Sequence, residues 1–238
     1  MTDTIRYAIS DGVASITIDR PDAGNRVTNE MAGALGAAID RAGAEGAKLL
    51  VLRGAGDVFC LGRDLPHTAE GGTAAEIKAG NTEPALALFA KFQRCPATII
   101  GIVQGKAVGM GCAMSALCDI TIAAEDALFQ VPEMTRDLPP TLVMWALADR
   151  IPRKAAAYMV SSRDPVDAAT AHAFGLVSRV VPAASLASET DAMVAKLSSN
   201  SADALGAVKA FMRSAPEMDR QGASDFASNL LANVLASR

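Results

Sequence analysis

Glycines are concentrated in the stretch GKAVGMGCAMSALCD, which runs from residue 105 to residue 119. Glycine at this density usually lets the backbone approach a ligand or another chain segment closely. Three known motifs do not fit the stretch: a P-loop needs GxxxxGK[ST], a dinucleotide fingerprint needs GxGxxG, and a serine elbow needs GxSxG. The chemistry at these glycines must therefore come from the backbone itself.

The geometry predicted for this stretch suggests one such chemistry. An apolar strand is predicted to end near Val103 and an apolar helix to begin near Gly111. The first N–H groups of a helix have no partner inside the helix and carry the positive end of its dipole. They can bind a polarised carbonyl oxygen, which makes an oxyanion hole one interpretation. The alternative is a turn that packs a strand closely against a helix, and this stretch alone favours that alternative.

A second stretch strengthens the oxyanion-hole interpretation. FCLGRDL, residues 59–65, also places a glycine in an apolar turn that follows a strand. Two such turns can each supply one backbone N–H to the same oxygen.

The elements that must hold these turns alternate between strands and helices up to about residue 140 and are mostly helical beyond it. Residues 66–80 are polar and lack a period, so we predict a mobile segment there. Lys209, on a C-terminal helix, is expected to be solvated. Strands are predicted at 5–9, 13–19, 48–54, 98–103, 119–124, 129–131 and 175–181, and helices after the N-cap Thr28 and at 84–94, 164–175, 184–199, 201–213 and 216–236.

The composition is that of an ordinary globular protein with a sizeable core. Of 238 residues, 50% are hydrophobic and 20% are charged. The net charge of −4 disfavours a nucleic-acid partner. Two histidines are too few for a histidine-based metal site, and the four cysteines form no CxxC pair, so we expect reduced thiols and a cytoplasmic location without a metal.

No membrane or export segment is predicted. The N-terminus MTDTIRYAIS has no apolar core of the kind that a signal peptide needs. The most apolar run, residues 97–118, carries Gln104 and Lys106 at its middle, which favours a strand, a turn and a buried helix over a membrane span.

Five segments together resemble the signatures of the crotonase superfamily, the enoyl-CoA hydratases and isomerases. FCLGRDL is similar to its FCAGADL signature, and VQGKAVGMGCAMSALCDI (103–120) is similar to its VNGYALGGGCELAMACDI signature. The other three segments are RPDAGNRVT (20–28), FQVPEMTRDLPP (129–140) and AHAFGLVSRVVP (171–182), and they follow the family's order.

This resemblance implies an α/β fold: a crotonase-like spiral of ββα units, here residues 1–185, followed by a helical trimerisation region, residues 186–238. It implies a homo-trimer or hexamer and an acyl-CoA thioester substrate. No cofactor is implied, because coenzyme A is part of the substrate.

The resemblance also places the oxyanion hole on the backbone N–H groups of Arg63 and Met110. Family members often have alanine and glycine at these two positions, so the larger side chains here add bulk beside the thioester.

Several neighbours of the hole are implied as substrate or CoA contacts: Leu61, Asp64, Leu65 and Gly109. For Asp64 a capping role is the favoured alternative. Arg26, in the early turn, is placed to reach a CoA phosphate, with an ordinary surface arginine as the alternative.

The carboxylates depart from the family pattern. Hydratases of the family use two glutamates, of which one is present here as Glu133 and the other falls on Ala113. Glu133 lies in the apolar context VPEM, so we expect a partly desolvated carboxylate with a raised pKa. Ala113 cannot hold or transfer a proton. A single acid/base fits a double-bond shift better than the addition of water.

Asp137 is the candidate for a second acid. It lies four residues after Glu133, where the family usually has glycine. It can share a pocket with Glu133, or pair with Arg136 or Arg150 on a surface, and the structural role is favoured. If Asp137 faces the site, hydratase chemistry returns as an option.

The sequence therefore predicts an acyl-CoA isomerase with Glu133 as its acid/base. The first alternative is an enoyl-CoA hydratase that uses Glu133 and Asp137. The second, from another class, is a non-catalytic acyl-CoA-binding protein.

Overall fold

The computed structural model describes residues 4–65 and 72–237. Within them the main sheet runs, from one edge to the other, through β1 (Ile5–Ser10), β2 (Val13–Ile18), β3 (Leu49–Gly54), β4 (Thr98–Val103), β6 (Ile120–Ala124) and β9 (Arg179–Val181). Within this described sheet, β1 and β2 are antiparallel and the other neighbouring strands are parallel. A smaller sheet contains β5 (Lys106–Val108), β7 (Leu128–Gln130) and β8 (Val166–Asp167).

The helices follow the predicted trend, alternating with strands at first and dominating later. They are α1 (Asn29–Ala44), α2 (Ala74–Ile77), α3 (Glu83–Arg94), α4 (Met110–Leu117), α5 (Thr141–Leu147), α6 (Arg153–Ser162), α7 (Ala168–Ala173), α8 (Leu186–Ser198), α9 (Ala202–Ser214) and α10 (Arg220–Ala236). A π-helical turn, Lys78–Thr82, joins α2 to α3. The predicted α/β class is confirmed.

Local signals near the N-terminus set the first elements as predicted. Asp11 and Gly12 both have positive φ, 51° and 75°, which is the conformation that a two-residue hairpin turn requires. Thr28 caps α1, because its side-chain oxygen accepts a hydrogen bond of 3.1 Å from the N–H of Met31.

The parallel strands at the centre of the main sheet are covered on both faces. All six residues of β4 are buried, and so are those of β3 except Arg53. The larger cluster lies between the sheet and helices such as α1, α3 and α4. On the other face, α8 packs its apolar side chains over β3, β4 and β6. Continuous apolar strands are the expected result of this arrangement.

The C-terminal helices are fastened to the main sheet by a mostly buried ion pair. Lys209 on α9 lies 2.7 Å from Asp119, and their side chains are 9% and 21% exposed. The ammonium also donates to the carbonyl of Ala97 at 2.8 Å, and Asp119 accepts from the N–H of Ile99 at 2.7 Å. The expectation of a solvated Lys209 was wrong, because the lysine reaches back to the end of the sheet.

One further expectation needs correction, and another falls partly outside the described residues. The helix predicted from Asp164 to Gly175 begins later: Val166–Asp167 forms β8, and Asp167 caps α7 through a 2.7 Å bond from the N–H of Thr170. The segment predicted as mobile, 66–80, falls partly outside the described residues, at 66–71, while 74–82 is helical. A capping box between Thr73 and Glu76 starts that helical piece.

Among the described residues, no helix combines the length and the hydropathy that a membrane crossing requires. The trimerisation role of residues 186–238 stays a prediction. Within one chain, α8 already has a role, since it covers the second face of the main sheet.

Replacing Lys209 with methionine should lower the free energy of unfolding by about 3–5 kcal/mol, because Asp119 would keep a buried charge without its partner. Urea unfolding monitored by circular dichroism measures this loss. Lys196→Met, at an exposed lysine, is the matched control and should change the value by less than about 0.5 kcal/mol. Equal losses in the two variants would contradict the role of the pair.

Candidate active site

The two glycine-containing turns lie side by side because a short parallel bridge joins them. Cys60 pairs with Ala107 of β5. The N–H of Cys60 donates to the carbonyl of Lys106 at 3.1 Å, and the N–H of Val108 donates to the carbonyl of Cys60 at 2.9 Å. The turn that follows Cys60 is thereby held against the strand that leads into α4.

The glycines of the second turn have two different roles. A methyl group at Gly111 would lie 2.2 Å from the carbonyl oxygen of Cys60, and one at Gly105 would lie 2.0 Å from that of Asp57. These two glycines let chain segments pack closely, as the alternative interpretation of the stretch expected. A methyl group at Gly109 would instead lie 2.6 Å from Glu133 Oε1. Gly109 therefore makes room for a carboxylate.

The N–H of Arg63 is available for a ligand. On either side of it, Val27 donates to the carbonyl of Gly62 at 2.9 Å, and Asp64 donates to the carbonyl of Val27 at 3.0 Å. These two bonds fix the neighbouring peptide groups on the Val27 side. Within residues 4–65 and 72–237, the N–H of Arg63 itself has no acceptor.

The N–H of Met110 is similarly free. Met110 is the first residue of α4, and no acceptor for its N–H is found in the described part of the chain. The preceding N–H, of Gly109, is used to bind the carbonyl of Gln130 at 2.9 Å. A methyl group at Gly62 would lie 4.0 Å from the nitrogen of Met110, so the two turns are in contact at this point. Two unpaired donors on adjoining turns are the components of an oxyanion hole.

Glu133 brings a carboxylate to the same place. It begins a 3₁₀ turn, Glu133–Arg136, directly after Pro132. Its Oε2 atom is buried and has no hydrogen-bond partner among the described residues. Burial raises the pKa of the Glu133 carboxyl above its ordinary value, against smaller opposing effects of its own N–H and of Arg136. The expected desolvation is confirmed.

The position of the missing acid is shielded from solvent. Every residue of α4 is buried, and Ala113 is fully buried with its N–H bonded to the carbonyl of Gly109 at 2.9 Å. Its neighbour Cys112 is also fully buried, and burial together with the nearby Glu133 raises the pKa of the thiol to about 12. The first turn of α4 thus presents apolar side chains to the core and offers no second proton-transfer group.

Asp137 differs from Glu133 in its surroundings. The residue is exposed, and it is in no ion pair with any described residue, Arg136 and Arg150 included. Its φ of 55° is left-handed, and its N–H caps the 3₁₀ turn through the carbonyls of Glu133 and Met134. Aspartate tolerates this conformation better than most residues, which explains why it can stand where the family has glycine.

The remaining predicted contact residues lie on or beside the first turn. Arg26 is exposed and donates to the carbonyl of Leu61 at 2.9 Å. Asp64 forms a 2.6 Å ion pair with Arg20. Leu61 and Leu65 are half-buried. The segment that Asp64 was expected to cap begins outside the described residues, so its capping role stays a prediction.

Sequence reasoning missed a buried asparagine beneath the site. Asn25 is fully buried with a positive φ of 55°. Its side chain accepts from the N–H of Arg20 at 2.9 Å and donates to the carbonyls of Ala55 and Val58, both at 2.8 Å. It thereby joins the early turn to the loop that leads into FCLGRDL. The signal was an asparagine after glycine in RPDAGN, a pair suited to left-handed backbone.

Comparison with known proteins agrees with this geometry. A model of the enoyl-CoA hydratase/isomerase family matches residues 8–238. A probable enoyl-CoA hydratase of Rhodobacter capsulatus is 34% identical over 209 residues, which are 87% of this chain and 79% of the relative. The 2,3-dehydroadipyl-CoA hydratase of Escherichia coli is 30% identical over 211 residues, covering 88% and 81% of the two chains.

Solved structures share the whole fold. An enoyl-CoA hydratase of Mycobacterium smegmatis matches with a TM-score of 0.92 and 30% identity, over 98% of this chain and 91% of that one. Human enoyl-CoA hydratase domain-containing protein 3 matches with a TM-score of 0.91 and 27% identity, over 98% and 92%. With two adjoining donor turns and a half-buried glutamate in the order that the family's signatures prescribe, this chain belongs to the enoyl-CoA hydratase/isomerase family.

Proposed function

We propose that this protein is an isomerase that moves a carbon–carbon double bond in an acyl-CoA thioester, with Glu133 as its single acid/base. The observation that carries the proposal is the contrast between two positions beside the hole. Glu133 is desolvated and lies over Gly109, whereas Ala113 offers an apolar methyl group in a fully buried helix.

The reaction needs only these groups. The Glu133 carboxylate removes a proton from C2 of a 3-enoyl thioester, and the electron pair of the broken C–H bond moves into the thioester carbonyl. The resulting dienolate oxygen is bound by the N–H groups of Arg63 and Met110. The protonated Glu133 then delivers the proton to C4, and the double bond moves to C2=C3. No atom is gained or lost, and no cofactor is required.

The typical contributions of an oxyanion hole and of a single base favour isomerisation over hydration. Each donor of an oxyanion hole typically contributes about 3 kcal/mol to the transition state, and a positioned base contributes about 10²–10⁴-fold in rate. Addition of water needs the same hole but also a group that orients and deprotonates the water while the other carboxyl protonates carbon. The loss of one of two acids thus affects hydration more than enolisation.

Hydration is the second candidate, and the names of the relatives favour it. Both the R. capsulatus and the E. coli relatives are named hydratases. In this alternative Asp137 serves as the second acid. Its exposed position and its backbone capping role support the structural interpretation instead.

The rest of the assignment also stays a proposal. We expect a homo-trimer or hexamer, assembled through residues 186–238, that acts on acyl-CoA in the cytoplasm. Relatives of mitochondrial origin occur beside the bacterial ones, so the location needs its own measurement.

Replacing Glu133 with glutamine should lower kcat for conversion of 3-enoyl-CoA to 2-enoyl-CoA at least about 100-fold, because the amide cannot accept the C2 proton. A spectrophotometric assay of the 2-enoyl thioester measures the product. Glu125→Gln, at an exposed glutamate on the preceding loop, is the matched control and should stay within about twofold. Retained isomerisation in the Glu133→Gln variant would reject the assignment.

The same substitution should stabilise the fold in a pH-dependent way. Burial raises the pKa of Glu133 in the folded protein, so the unfolded chain releases this proton first as the pH rises. The folded state then loses relative stability until the pH passes the raised pKa, and the deficit stays constant above it. Glutamine removes the deficit. The difference in Tm between Glu133→Gln and the parent should be larger at about pH 7.5 than at about pH 4, near the ordinary glutamate pKa. A difference that does not vary with pH would contradict the desolvated carboxylate.

Asp137→Asn separates the two candidate reactions. The isomerase proposal expects isomerisation of a 3-enoyl-CoA within about twofold of the parent, because an exposed asparagine keeps the left-handed turn. The hydratase alternative expects the parent to hydrate a 2-enoyl-CoA faster than it isomerises, and the variant to lose that hydration. Parallel assays with both substrates on both proteins decide between them.

A further inference from the structure

The side chain of Arg63 makes contacts that its role as a backbone donor does not require. Its Nη2 donates to Asn29 Oδ1 at 2.6 Å, and its Nη1 donates to the carbonyl of Asn81. Asn29 in turn donates to the carbonyl of Gly80 at 2.6 Å. Arg63, Asn29 and the backbone of residues 80–81 therefore form one continuous network, which we call the Arg63 clamp.

The segment held by the clamp has little apolar packing within the described part of the chain. No residue of α2 or of the π-helical turn Lys78–Thr82 is buried. Apolar packing resumes only with Ala85 on α3. Single π-helical turns are rare and are found frequently at functional sites. Among the described residues, the hydrogen bonds from Arg63 and Asn29 join this turn to the elements that carry the proposed hole.

The charge of Arg63 makes the arrangement unusual. The side chain is half-buried, burial lowers its pKa, and no carboxylate pairs with it among residues 4–65 and 72–237. Buried charges are normally paired with an opposite charge. Here two neutral oxygens, Asn29 Oδ1 on α1 and the carbonyl of Asn81 in the π-helical turn, replace the opposite charge. The planar guanidinium can donate to both oxygens at once, which a lysine ammonium does less well.

The clamp acts on the peptide group proposed to bind the thioester oxygen. On one side, the Val27 bonds fix the peptide groups that flank the N–H of Arg63. On the other side, the guanidinium is fixed by Asn29, the first residue of α1, and by the π-helical turn. Arg63 is thus held both by the peptide groups beside it and by its guanidinium group. Together these contacts fix the direction in which its N–H points.

We propose that the Arg63 side chain is a positioning residue, which orients its own backbone N–H in the oxyanion hole by clamping the turn Lys78–Thr82 to the start of α1. Geometry of this kind is sensitive, because a displacement of about 1 Å can cost about 100-fold in rate. The proposal rests on the proposed function in one respect, since it takes this N–H as a donor to the enolate oxygen.

Hydrogen–deuterium exchange tests the clamp without any substrate. In the free protein, Arg63→Ala and Asn29→Ala should each speed exchange of the amides in residues 74–82 about tenfold or more, since each variant removes bonds to that segment. Arg53→Ala, at an exposed arginine on β3, is the matched control and should leave this exchange unchanged. Unchanged exchange in both clamp variants would overturn the proposal. Asn29→Ala keeps the test decisive if Arg63→Ala does not fold.

Kinetics test the link to the hole. Arg63→Ala keeps the N–H, yet it should lower kcat for the isomerisation about tenfold and change KM less than about threefold, because orientation matters most when the oxygen becomes charged. Arg63→Lys should recover part of the loss. The double variant Arg63→Ala/Asn29→Ala should have a kcat no lower than that of the slower single variant. Losses of kcat that multiply would show that the two residues act independently and would overturn the clamp. A parent protein without isomerase activity would reject the proposed function, while the exchange result would still decide on the clamp.

Discussion

The candidate site depends on the short parallel bridge between Cys60 and β5. Two backbone hydrogen bonds join the turn after β3 to the strand that enters α4, and they place the nitrogens of Arg63 and Met110 on adjoining turns. The contact is so close that a methyl group at Gly111 would overlap the carbonyl of Cys60. Because the proposed oxyanion hole uses backbone N–H groups, this contact between segments determines where its two donors lie.

The carboxylate is tied to the same framework. Gly109 donates its N–H to Gln130 at the end of β7, and Glu133 follows three residues later with its carboxylate over Gly109. The small sheet of β5, β7 and β8 therefore sets the distance between the Glu133 carboxylate and the N–H groups of Arg63 and Met110. Its strands have only two or three residues each, so this distance is set by few hydrogen bonds and by the buried side chains of α4.

Much of this could be predicted from the sequence, because the signals are local. The left-handed Asp11-Gly12 turn, the Thr28 cap and the apolar strands each follow from a few neighbouring residues. The position of Glu133 followed from a family signature, and its desolvation from the apolar residues beside it. Asp137 illustrates the limit, because only the backbone angle in the structure explains its presence in place of glycine.

The failures share one physical cause, which is that the deciding partner is distant in sequence. Lys209 finds Asp119 ninety residues earlier, and Asn25 finds the carbonyls of Ala55 and Val58. The Arg63 clamp depends on contacts with Asn29 and with the turn at 78–82. No periodicity or motif in the sequence predicts these long-range contacts. The helix predicted from Asp164 started late because β7 recruits Val166 as a strand partner.

The Lys209–Asp119 pair has a consequence for how this fold can change. Ala97 immediately precedes β4, and Asp119 immediately precedes β6, so the ion pair lies at the N-terminal ends of these parallel strands. The turns at Arg63 and Met110, by contrast, follow the C-terminal ends of strands. The C-terminal helices are thus anchored where these parallel strands begin, and the candidate site lies beyond the points where strands end. Substitutions in the turns leave the Lys209–Asp119 pair untouched, so the candidate site can change without loss of this anchor.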